Sequence, residues 1–333
     1  MLFIFKLKLF AIFIALILVE NNIFYTSKMD NGTYFYFMLF ENLGHMRYIF
    51  FSLAFIYYCV VLCLNVLIVL AIRQERTLHQ PMYILIACLS INSLYGTAAF
   101  FPRLLSDLLS DIHTISRETC YLQVLVIYTY ASYEFTILTL MAFDRLVAIS
   151  KPLQYHNIIT PRSLTVFMVI NWTYPLIMVG IASILTARLT ICGNKLYKVY
   201  CHNYDIVKLS CVRNTVINIY GLLVTITTVF IPLIFIFYSY VKILIVCKRS
   251  SPEFRSKAFQ TCVPHMVILF NFSIAIFCEL TLSRFVDGEL PTTLTVVLSL
   301  NFLIIPPLLN PVVYGLNFPD IRKNFICHRK ASW

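Results

Sequence analysis

The run Met141-Ala142-Phe143-Asp144-Arg145-Leu146-Val147-Ala148-Ile149, followed by Lys151-Pro152-Leu153-Gln154-Tyr155, sets an acid and a base side by side at the close of a long apolar stretch. Charges are costly at the centre of a bilayer, so they are tolerated at helix ends or facing a bundle interior. An Asp-Arg pair leading into a basic, proline-containing loop reads as the cytoplasmic end of a membrane helix. The rest of the chain has to supply the membrane protein around it.

It does so by composition. Of 333 residues 60% are hydrophobic and only 12% charged, where a soluble domain carries roughly 25% charged residues. That deficit defines a polytopic membrane protein. Apolar runs long enough to span fall at Ile49–Ile72, Met82–Leu105, Tyr121–Ile149, Leu164–Ala187, Thr215–Val246, Ala258–Leu282 and Thr292–Leu316, seven in all. No series of alternating ten-residue segments occurs, so the spans are helices and not barrel strands. The expected fold is all-α, a seven-transmembrane helix bundle over residues 49–316.

Lys and Arg set the orientation. With the amino terminus extracellular and the carboxyl terminus cytoplasmic, the inner loops hold fourteen bases, Arg73, Arg145, Lys151 and Lys248 among them, against four acids, Glu75, Asp144, Glu253 and Asp320. The loop at 188–213 dissents with five bases, but it is long enough for other constraints to dominate. The net charge of +11 therefore answers to an anionic lipid bilayer and signalling partners, and no nucleic acid is implied.

Before the first span, Leu9–Val19 follows Lys6 and Lys8 and is too short to cross. Residues 1–28 read either as a secretory signal without a clear cleavage site or as an extension upstream of a start at Met29. Both readings stay open. Residues 29–48 form an outer amino-terminal segment, with a glycosylation acceptor at Asn31-Gly32-Thr33. The sequons at Asn171 and Asn271 lie inside spans and read as packing or interhelical polar residues. Cys120, Cys192, Cys201 and Cys211 fall on the oxidising side, and spacing alone leaves three pairings open. The other cysteines read as small packing residues, with Cys327 a candidate for palmitoylation.

In the third span Tyr128, Ala131, Ser132 and Phe135 follow i, i+3, i+4, i+7 and share one face. Glu134 and Arg145 stand eleven residues apart, about 16 Å along the axis and nearly in line. The aromatic stripe fits bundle core as well as a pocket. Glu134 fits core poorly, because an acid inside a span is costly and usually functional, so it is a candidate ion or proton site.

The wording Met-Ala-Phe-Asp-Arg followed by Lys-Pro-Leu-Gln-Tyr resembles the end of the third helix in rhodopsin-like G-protein-coupled receptors, and the odorant receptor branch in particular. Asn65 in the first span, Pro81-Met82-Tyr83 opening the second, Pro232 before Ser239-Tyr240 in the fifth and Asn310-Pro311-Val312-Val313-Tyr314 ending the seventh fit the same family. Lys257-Ala258-Phe259-Gln260-Thr261-Cys262-Val263-Pro264-His265 resembles the segment opening its sixth helix, with Gln260 and Pro264 replacing the usual serines. Two departures stand out. The second span carries Asn92-Ser93 where many relatives have an acid, which speaks against tight sodium binding at Glu134. Asn92-Ser93-Leu94-Tyr95-Gly96 looks like variants of fish receptors, which respond to water-borne cues. The tyrosine common in the sixth helix is Ser273.

The resemblance implies an odorant receptor of the plasma membrane, not an enzyme, with a small odorant, water-soluble if the fish-like wording holds, and a heterotrimeric G protein as partners, and with no cofactor or metal. It implies disulfides Cys120–Cys201 and Cys192–Cys211, and roles in G-protein coupling and activation for Asp144, Arg145, Tyr240, Asn310, Pro311 and Tyr314. It places the ligand in the outer half of the bundle against Tyr128, Ala131, Ser132, Thr225, Thr228, Ile276, Leu280 and Leu303. Glu279 and Arg284 near the mouth could engage a zwitterionic ligand, but snorkelling to the interface is the favoured reading. Residues 317–333 would be a cytoplasmic tail with a short amphipathic helix. Other classes fit less well. An amine receptor would carry an Asp on the outer half of the third helix, where Val124, Ile127 and Tyr128 supply none. A transporter would show duplicated halves, and an intramembrane enzyme would need a catalytic constellation such as His-Glu-x-x-His, which is absent from the sequence.

Overall fold

The computed structural model describes residues 34–40, 43–212, 214–285 and 292–317. The expectations for residues 1–28, Asn31, Cys327 and the carboxyl-terminal tail after Asn317 lie outside the described residues. Seven helices long and apolar enough to cross a membrane are present: α1 Met46–Gln74, α2 Pro81–Leu109, α3 Arg117–Ser150, α4 Pro161–Ala187, α5 Thr215–Lys248, α6 Pro252–Phe285 and α7 Thr292–Asn317. Each overlaps one apolar run, and several extend beyond it because caps, not hydropathy, end a helix. Ser116 caps α3 by accepting from the Thr119 amide, Thr160 and Ser163 form a reciprocal box at α4, and Asn214 accepts from the Ile217 amide at α5. Pro81 and Pro161 open their helices, where the missing N–H is not needed.

α3 lies at the centre, packed on α2, α4, α5 and α6, while α7 closes against α1, α2 and α6. Leu53, Ile56, Ile234, Phe237, Phe270 and Phe277 point outward and are exposed, as a lipid-facing surface requires. The core runs through Tyr130, Phe135, Phe272, Leu303 and Tyr314.

Prolines inside α7 leave carbonyls without a helical donor, and neighbouring helices supply one. Pro311 frees the Pro307 carbonyl, which accepts from Asn65 Nδ2 of α1 at 2.9 Å. Pro306 frees the Phe302 carbonyl, which accepts from the Tyr130 hydroxyl of α3 at 3.1 Å. The breaks in one helix thereby become its ties to two others. In α5 a π-helical turn at Ile226–Phe230 precedes Pro232 and turns Thr228 inward, where it is buried.

Gly96 of α2 allows Tyr130 this position. A Cβ on Gly96 would lie 2.5 Å from the Tyr130 ring, and that ring is already fixed by its hydrogen bond and by edge contact with Phe272. Gly96→Ala gains about 1 kcal/mol in helix propensity but overpacks a full core at about 1–3 kcal/mol. A net loss, read as a lower melting temperature of the detergent-solubilised receptor, is expected. An unchanged or raised melting temperature would show that the ring can move aside.

At the end of the bundle that carries the disulfides, three short strands form a ribbon: β1 Tyr34–Phe37, β2 Thr114–Ser116 and β3 Lys195–Leu196. β1 is the middle strand, antiparallel to β2 with Tyr34 opposite Ser116, and parallel to β3 with Phe37 beside Leu196. Phe35 and Phe37 alternate inward and bury against Leu108, Ile115, Leu196 and Ile206 in a second, smaller core. The amino-terminal segment expected at residues 29–48 is thus partly built into the fold.

Candidate functional site

The roof of the bundle is fixed from α3. Cys120 bonds Cys201 with Cα atoms 5.5 Å apart, and Cys192 bonds Cys211 with Cα atoms 5.0 Å apart. One turn below Cys120, the Gln123 side chain accepts from the Cys201 amide at 2.9 Å and donates to the Ala99 carbonyl at 3.0 Å. The loop after α4 therefore lies across the bundle, anchored to α2 and α3 together.

Beneath it sits a cluster that the sequence did not announce. Glu279 of α6 is buried, and its Oε1 receives Lys198 Nζ, the Tyr200 hydroxyl at 2.7 Å and His202 Nε2 at 3.2 Å, all from the loop. Snorkelling is thereby overturned for Glu279. Turned inward, the carboxylate finds an ammonium and two further partners, the pairing that a buried acid requires. The Arg284 side chain lies outside the described residues. Burial and then the Glu279 carboxylate push the Tyr200 hydroxyl well above its usual range, so it stays a donor. Burial opposes ionisation of Asp205, but His202 at 3.5 Å and then the charges of Lys198 and Lys208 hold its carboxyl below the usual range.

The cluster stands over the residues expected to hold the ligand. The His202 ring lies 6.0 Å from the Tyr128 ring, and Tyr200 packs edge-on against Phe302, beside Leu303. Ile276 and Leu303 are buried in the main core, with Tyr128, Ala131 and Leu280 packed against it. Ser132 donates to the Tyr128 carbonyl at 2.9 Å, Thr225 to Gly221 at 2.9 Å and Thr228 to Val224 at 2.8 Å. Each hydroxyl is satisfied by its own helix and retains acceptor capacity. Two clefts lie elsewhere. One of about 440 Å³ is lined by Phe40, His45, Arg47, Asp107, Asp111 and His113 at the tops of α1 and α2. The other, about 140 Å³, separates α5 from α6 near Tyr240 and Cys262.

Midway down, Glu134 is fully buried and clamped by two amides. Asn92 Nδ2 of α2 donates to Oε2 at 2.8 Å and Asn310 Nδ2 of α7 to Oε1 at 2.7 Å. Asn92 also donates to the Tyr130 carbonyl at 3.0 Å. The Glu134 side chain thus joins three helices through hydrogen bonds from two neutral amides. Asn92, beside the Ser93 that replaces the expected acid, takes the polar role of that position.

At the far end Arg145 pairs with Asp144, Nε at 3.0 Å and the terminal nitrogen at 2.5 Å from one oxygen. The other oxygen accepts from the Tyr155 hydroxyl at 2.7 Å. Burial, followed by that bond, pushes the Tyr155 hydroxyl up and keeps it a donor. Tyr314 of α7 is fully buried with its hydroxyl 3.9 Å from Met141 Sδ of α3. Tyr240 of α5 hydrogen-bonds His265 Nδ1 of α6. That partner was legible only as the last residue of the Lys257–His265 segment.

The olfactory receptor family model matches residues 53–329. Human olfactory receptor 51I2 is 34% identical over 268 residues, covering 80% of this chain and 86% of that receptor. Human olfactory receptor 6K3 is 32% identical over 318 residues, 92% of this chain and 94% of its own length. Seven membrane helices, an Asp-Arg pair closing α3, and relatives that match along nearly their whole length lead to one conclusion: the chain belongs to the olfactory receptor family and is a multi-pass protein of the plasma membrane.

Proposed function

We propose that this olfactory receptor binds a small odorant between α3, α5, α6 and α7, beneath the disulfide-anchored loop, and relays the event to a stimulatory heterotrimeric G protein at the Asp144–Arg145 end, raising cyclic AMP. The observation that carries this reading is the Glu134 clamp, which couples α2, α3 and α7 between the two ends. The disulfide end faces outside, because thiols stay reduced in the cytosol. The odorant's contacts are Tyr128, Ala131, Ser132, Thr225, Thr228, Ile276, Leu280 and Leu303, an apolar wall with a few hydroxyls suited to a small molecule. Agonist favours a state in which α6 moves outward, so it must bind that state more tightly than the resting one. In that state Arg145, Tyr240, Asn310, Pro311 and Tyr314 rearrange to admit the G protein.

The test is a mutational panel on an identified agonist in cells reporting cyclic AMP. Ser132→Val and Thr228→Val are expected to shift potency about tenfold, the effect of one hydrogen bond, with surface expression unchanged. If only loop residues or residues at the tops of α1 and α2 alter the response, the ligand binds at the mouth instead.

A further inference from the structure

Glu279 divides its two oxygens unequally. Lys198, Tyr200 and His202 all converge on Oε1. Oε2 is equally buried and accepts no hydrogen bond from any described protein group. A carboxylate is acceptor-only, and a buried acceptor left without a donor is costly, so Oε2 is the atom of this cluster at which a donating ligand gains most. The residue is more than nine-tenths buried and lies on α6 one helical turn from Ile276 and next to Leu280, both already placed along the ligand's wall. His202, bound to the same carboxylate, faces Tyr128.

We propose that Glu279 Oε2 is the recognition point for the ammonium group of a small primary aliphatic amine, whose hydrocarbon body rests on Tyr128, Ile276 and Leu280. The inference rests on the odorant-receptor reading and names the ligand class. A cationic donor is the strongest complement to an ionised acceptor in a setting shielded from water. The facing positions of α3, Val124, Ile127 and Tyr128, offer it no rival acid. Lys198 and Glu279 carry one opposite charge each, so the further negative charge that favours a cation here is that of Asp205, on the other side of His202. The acid that an amine receptor would carry on α3 is here supplied by α6, which is also the helix expected to move.

The experiment uses the full-length receptor and pairs cyclohexylamine and n-pentylamine with their isosteric alcohols. Two readouts are taken: the melting temperature of the detergent-purified receptor, which needs no G protein, and cyclic AMP in cells with surface expression recorded. Each amine is expected to act at concentrations about ten- to a hundredfold lower than its alcohol, the effect of one charge-assisted hydrogen bond. Glu279→Gln should abolish that preference. Lys198→Gln should retain it, because the carboxylate remains. Equal action of amine and alcohol on the wild-type receptor overturns the proposal, and this comparison stands even if a variant fails to fold. Loss of the preference in Lys198→Gln as well as in Glu279→Gln also overturns it, because both would then act through the loop's anchoring. An amine-selective melting shift without a cyclic AMP response supports the amine site and counts against the signalling reading alone.

Discussion

Arg145→Ala is expected to reduce agonist-stimulated cyclic AMP to the level of untransfected cells while the receptor still reaches the surface. Arg145 is held by Asp144, which is itself buried and takes a second bond from Tyr155. Removing one partner of a fully buried pair would cost about 3–5 kcal/mol. Here the Arg145 side chain is 17% exposed at the end of its helix, so water reaches the site, and Tyr155 continues to solvate the carboxylate. The fold should survive the substitution. What cannot survive is the role given to the guanidinium, a planar five-donor group that no neighbouring residue can replace. The measurement is a cyclic AMP dose response alongside surface labelling. Full signalling by the variant would remove this arginine from the mechanism.

Cys120→Ser should act on folding and not on coupling. The Cys120–Cys201 bond closes a loop of 81 residues and joins the top of α3 to the strap across the bundle. Losing such a bridge costs on the order of 2–5 kcal/mol, a large share of the 5–15 kcal/mol that holds a typical domain together. Retention inside the cell and little surface receptor are the expected outcome. Cys192→Ser opens a loop of only 19 residues, so the closure entropy it forfeits is smaller by about 1 kcal/mol, and part of its population should still mature. Mass mapping without reduction checks the pairing directly. Normal surface delivery of Cys120→Ser would contradict the structural role assigned to the bond.

The seven helices were legible because a span must be apolar along its length, which is a local property that hydropathy reads. The same holds for Asp144-Arg145, whose adjacency in sequence is also its ion pair. Glu279 was misread for the opposite reason. Its partner Lys198 stands in a loop 81 positions away, and no local pattern tells how that loop crosses the bundle. Glu134 was singled out from its cost in a membrane, yet its amide clamp joins residues from α2 and α7 that only the packing brings together. Asn65 shows what a closer reading of the sequence could have found. A proline at Pro311 guarantees an orphan carbonyl four residues back, and a lone buried amide in another span is a natural donor for it. Tyr34-Phe35-Tyr36-Phe37 likewise has the aromatic composition of a strand, but at four residues it is too short for periodicity to decide.

The ribbon at the disulfide end also orders events during synthesis. β1 is made before the seven described membrane helices, β2 only after two of them, and β3 only after four. The middle strand therefore leaves the ribosome first and has to wait for both of its neighbours. A pair of strands alone is marginal in water, so the early meeting of β1 with β2 is transient, and a lasting ribbon requires the whole first half of the bundle to have assembled with its loop in register. Closure of the amino-terminal segment is thus a late, long-range step that depends on correct insertion of everything before it. A newly made chain whose first four helices are misplaced would leave Phe35 and Phe37 uncovered, a sticky apolar flag of the kind that chaperones bind.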